Sequence, residues 1–144
     1  MHNNKPELIS IHHDDYHAQH IGRTSDGSQF FLTTPFEPNK CEYIALFKFD
    51  GLGNLIDSNI EILGERGSFT DEFASKKYND MLQSLGDIEF GNIKVKPFSV
   101  NFNNTEIGLI TRVPEDEDDA WAVQLLPGNF MAFFEPWDSG EYDT

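Results

Sequence analysis

The sequence predicts a single α+β domain over residues 1–144, built on a mainly antiparallel sheet of about six to eight strands with one main helix, at about residues 69–85, packed on one face. Three observations lead there. Strand-like segments outnumber helical ones, short turns join successive strand segments, and one stretch alone carries apolar residues at helical spacing. A chain of 144 residues suffices for one domain with one sizeable core. Its hydrophobic share of 38% is low, but 13 Phe residues offset this, because each ring buries a large area.

The elements follow in order. Residues 1–10 read as an irregular N-terminal arm. Residues 16–22 are short and strand-like, residues 24–27 (TSDG) make a turn, and residues 29–34 return as an apolar, β-branched strand. Pro35 and Pro38 end it. The second hairpin is clearer: residues 42–49 (EYIALFKF) are rich in strand formers, residues 50–54 reverse the chain, and residues 55–62 alternate. Ile44, Leu46 and Lys48 share one face of the first strand, while Tyr43, Ala45, Phe47 and Phe49 share the other. Apolar groups on both faces predict a central strand covered on both sides.

The helix has Ser68 as its expected cap, with Asp71 three residues on. Phe69, Phe73, Met81, Leu82 and Leu85 fall on one side, and Gly86 stands where a C-terminal cap belongs. A third hairpin joins residues 93–102 to residues 106–113 through Asn103-Asn104-Thr105, with Pro97 suggesting an edge or a bulge. Residues 115–119 (EDEDD) form an exposed loop, and residues 121–126 and 130–134 are further strand candidates. Residues 135–144 are an acidic–aromatic C-terminal tail.

Charge separates function classes. The formal net charge is −15, and it is uneven: residues 1–112 carry 16 acids and all 10 bases, whereas residues 113–144 carry nine acids and no base. Such a field repels nucleic-acid phosphates and anionic lipid and attracts a basic protein or a cation. No apolar run approaches the roughly 20 residues of a spanning helix. The first six residues lead into no apolar stretch, so no secretory signal is expected. Cys41 is the single cysteine, which points to a reducing, cytoplasmic setting.

Two regions hold chemistry-bearing side chains. Residues 12–20 contain four of the five histidines, and His12, His13, Asp15, His17 and His20 are the candidate metal ligands. Their spacing is neither the His-Glu-x-x-His of a helical zinc site nor a closed ligand pattern, so a polar surface strand competes with that reading. The tail interleaves Phe133, Phe134, Trp137 and Tyr142 with carboxylates. Either its aromatics dock and staple the C-terminus, or Glu135, Trp137, Asp138, Glu141, Tyr142 and Asp143 form a partner-binding patch. No catalytic residue and no cofactor are indicated. Gly51-x-Gly53 is too short for a phosphate loop, no Gly-x-Ser-x-Gly occurs, and residues 115–119 lack the glycine and spacing of a calcium loop.

Three stretches together carry a resemblance: Asp15-Tyr16 leading into residues 21–31 (IGRTSDGSQFF), residues 43–51 (YIALFKFDG), and Glu135-Pro136-Trp137-Asp138 with Tyr142-Asp143-Thr144. In these the chain resembles a family of small bacterial proteins, the formate hydrogenlyase regulatory protein-like family. The resemblance implies a regulatory protein without catalysis and supplies no catalytic residues. The leading expectation is therefore a non-enzymatic regulatory or binding protein, in one version an immunity-type inhibitor of a basic protein. A metal-assisted hydrolase using the N-terminal His/Asp cluster is the second reading. A structural module that self-associates through a sheet edge is the third.

Overall fold

The computed structural model describes residues 5–144. Eleven strands and one helix follow in chain order: β1 (Ile9–Ile11), β2 (Ile21–Thr24), β3 (Gln29–Thr33), β4 (Glu42–Phe49), β5 (Leu55–Gly64), α1 (Asp71–Ser84), β6 (Ile88–Phe90), β7 (Ile93–Val95), β8 (Phe98–Phe102), β9 (Thr105–Arg112), β10 (Ala122–Leu126) and β11 (Ala132–Phe133). They form a five-stranded sheet in the order β5-β4-β3-β2-β6, a four-stranded sheet in the order β11-β10-β9-β8, and a β1-β7 ribbon. Every strand pairing is antiparallel. The α+β class with one helix stands; the strand number is corrected from about six to eight in one sheet to eleven in three.

Strand β4 shows why two layers cover the large sheet. Ile44 and Leu46 join Phe30, Leu32 and Met81 in a core between sheet and helix. Tyr43, Ala45, Phe47 and Phe49 point the other way, into a larger core shared with Ile107 and Leu109 of β9, Val123 and Leu125 of β10, and the β1-β7 ribbon. Alternation along one strand thus feeds two cores. The T-shaped pairs Phe47–Phe98 (4.6 Å) and Phe49–Phe98 (5.3 Å) tie the two sheets together.

The differences from expectation have local causes. Residues 93–102 are not one strand: Pro97 has no N–H to donate, and the chain breaks there into β7 and β8, which belong to different sheets. The expected arm over 1–10 ends in strand, since Ile9 and Ser10 pair with Val95 and Lys94; its residues 1–4 lie outside the described residues. The strand expected over 16–22 begins only at Ile21, because Asp14 bends residues 14–18 into a turn. The helix cap is Thr70 rather than Ser68: the Thr70 hydroxyl accepts the Phe73 N–H (3.1 Å), while the Ser68 hydroxyl donates to the Glu65 carbonyl (2.6 Å). Gly86 closes the helix as expected, with φ 74° and its N–H donating to the Gln83 carbonyl at 3.1 Å.

Candidate functional site

The two regions marked in the sequence meet in space. After β11 the chain crosses β1 on the side opposite β7: the Ser10 N–H donates to the Trp137 carbonyl (2.9 Å) and the His12 N–H to the Gly140 carbonyl (3.1 Å). It then returns to β11, where Ala132 and Asp143 exchange N–H···O bonds of 2.9 and 2.8 Å. Gly140 has φ 79°, a backbone conformation that favours glycine, and lies under the exposed His12 ring, which a Cβ would displace.

The Tyr142 hydroxyl is the main side-chain clasp. It donates to Asp14 Oδ2 and accepts the His17 N–H at 3.1 Å. Asp14 Oδ1 accepts the N–H groups of Tyr16 (2.9 Å) and Ala18 (3.0 Å). Partial burial pushes the Asp14 pKa up, but the bonds from Tyr142, Tyr16 and Ala18 outweigh it and hold the carboxyl below its ordinary value. Burial and the bond to Asp14 push the Tyr142 pKa to about 12, so the phenol keeps its proton.

The tail residues divide by side-chain type. Trp137 and Tyr142 are half-buried and pack against the main core, so the docked-staple reading describes their rings. Glu135, Asp138, Glu141 and Asp143 are exposed. Val123 faces Phe133, which carries Phe134 and Glu135 to the end of the sheet where residues 113–121 join β9 to β10. Loop 115–119 and the start of the tail therefore leave the same end. Of the nine acids in residues 113–144, eight are exposed; Asp119 is half-buried and bonded to Arg112 at 2.7 Å. Ion pairs among the described residues are Lys40–Glu37, Lys76–Asp80 and Arg112–Asp119, so none of the eight is in one.

The histidines diverge. His12 lies over Gly140 and is exposed. His13 stacks on Phe90 (5.8 Å, 21°), with Nε2 2.9 Å from the Gln19 carbonyl. Asp15 is exposed on the turn. Among the described residues no group of three or more His, Cys, Asp or Glu side chains is arranged to hold a metal ion. The turn at Asp14-Asp15 gathers backbone N–H groups rather than imidazoles.

His17 and His20 instead line a cleft of about 290 Å³ with Tyr16, Thr34, Tyr78 and Phe130. His20 Nδ1 is hydrogen-bonded to the Tyr78 hydroxyl, which also lies 3.5 Å from the Leu32 carbonyl. Burial lowers the His20 pKa, aided by the nearby His13, and burial lowers that of His17 against the opposing pull of Asp14. Burial raises the Tyr78 pKa. Both imidazoles are thus held neutral near pH 7. Asp14, Tyr78, Phe36 and Phe130 carry no motif; only the turn propensity of Asp14 had a readable signal.

No family model, no curated protein and no solved structure matches the chain.

Proposed function

We propose that the chain is a non-enzymatic regulatory or binding protein that engages a basic protein partner, as an immunity-type inhibitor does, through the acidic surface of its C-terminal segment. One observation carries this reading: Glu135, Asp138, Glu141 and Asp143 are exposed on a segment held by backbone bonds to β1 and β11 and by the Tyr142–Asp14 clasp. Carboxylates carried on a fixed backbone lose less conformational freedom on binding than those on a free tail, and their field steers a cationic partner. Phe134, 37% exposed and adjacent to Glu135, adds an aromatic contact. Trp137 and Tyr142 act through the backbone they hold in place. The resemblance to the formate hydrogenlyase regulatory protein-like family supports a regulatory rather than a catalytic role.

Affinity capture from the native host's lysate, with elution at rising salt, tests the reading. A single basic protein held at low salt and released as salt screens the charges is the expected result. Nothing retained above background would reject it.

A further inference from the structure

The cleft beside His17 continues past Phe130 into a second one of about 190 Å³, lined by His17, Thr34, Phe36, Glu42, Arg66 and Phe130. Its walls and its charges are of different kinds. Phe36 and Phe130 are stacked (5.9 Å, 12°), and the His17 ring lies 4.8 Å from that of Phe130. Arg66 and Glu42 supply one charge of each sign, and among the described residues neither is in an ion pair, with each other or with a third group. The ring nitrogens of His17 have no hydrogen bond among the described residues.

We propose that this cleft binds a free aromatic α-amino acid as its zwitterion, with the carboxylate on Arg66, the ammonium on Glu42 and the side-chain ring against Phe36, Phe130 and His17. Charge selects this class over its neighbours. A net charge of −15 opposes a simple anion, and a simple cation would leave the Arg66 guanidinium without a counter-charge. A zwitterion carries no net charge and satisfies both side chains. The ring supplies apolar area and prefers offset or edge contacts with the aromatic wall. Size agrees: these volumes lie at or below the lower end of the roughly 300–1,000 Å³ of small-molecule sites, which suits an amino acid and excludes a dinucleotide. None of Glu135, Asp138, Glu141 and Asp143 lines this site, so its test does not depend on the partner of the acidic C-terminal surface.

Calorimetric titration of the full chain with L-phenylalanine, 3-phenylpropanoate, 2-phenylethylamine and glycine tests the assignment. The expected result is saturable one-to-one binding of L-phenylalanine, with the three analogues each weaker by about ten-fold or more. Glu42→Gln and Arg66→Gln each weaken L-phenylalanine by a similar factor while the amide NMR spectrum stays that of the folded chain. Three results would overturn it: no saturable binding of phenylalanine, tyrosine or tryptophan; phenylethylamine or phenylpropanoate binding as tightly as phenylalanine; or both folded variants binding like the parent.

Discussion

The Tyr142 hydroxyl joins the two ends of the chain, donating to Asp14 and accepting from the His17 N–H. Tyr142→Phe removes both bonds and keeps the ring. The clasp is only partly buried, so the expected cost is about 1–2 kcal/mol, at the lower end for hydrogen bonds to a charged group. Chemical denaturation measures that loss, and NMR titration of Asp14 should show its pKa rising toward 3.8. Asp14 has a depressed folded pKa, so its stabilisation is present above 3.8 and fades as pH falls through the folded value; the gap between parent and variant narrows in acid. The histidines act at higher pH. His17 and His20 have folded pKa values below 6.5, so the unfolded chain takes up protons first and stability falls as pH drops through and below 6.5. Replacing His20 with Gln removes one such group. The melting-temperature advantage of the parent over His20→Gln should therefore shrink between pH 7.5 and 5; an advantage constant with pH would contradict the neutral assignment.

Elements were legible in proportion to their length and periodicity. Strand β4, with apolar residues on both faces, was readable as a central strand, and α1 was readable from its spacing and from Gly86. The three-residue strands β1 and β6 were not, and β7 was readable only as the start of a longer strand, because three residues cannot display a period and their pairing partners lie far away in the chain. The cleft was illegible for the same reason: His17, Phe36, Arg66 and Phe130 come together only once the sheet has formed. The acidic tail was legible by composition, but the sequence left its docking open, since aromatic–acidic alternation suits a staple and a patch equally. The pairing of β2 with β6 offers a test of the fold at this scale. A Cβ on Gly22 would lie 2.0 Å from the Glu89 carbonyl oxygen and 2.8 Å from Phe90 Cα, both backbone atoms that cannot swing aside. Gly22→Ala should push β6 off its neighbour and cost about 1–3 kcal/mol, as overpacking does, with amide exchange accelerating first over Ile88–Phe90.

At the scale of the whole molecule, charge and shape work together. Edge strand β5 exposes Ile56 and Ile62 but also carries Asp57 and Glu61, and charges on an edge discourage strand addition by another copy. Mutual repulsion of molecules at −15 acts in the same direction. The asymmetry of that charge is what sets the C-terminal face apart, because residues 113–144 contain no base while every base lies earlier in the chain. A generic acidic surface and a specific one make different predictions, and a charge-matched pair of variants separates them. One variant carries Glu135→Gln, Asp138→Asn, Glu141→Gln and Asp143→Asn. The other carries Asp57→Asn, Glu72→Gln, Asp87→Asn and Glu89→Gln, four exposed acids outside the tail. Each moves the net charge from −15 to −11. Capture of the basic partner at low salt should fail with the tail variant and survive with the control; equal loss in both, or retention by the tail variant, would contradict the assignment of binding to the C-terminal segment.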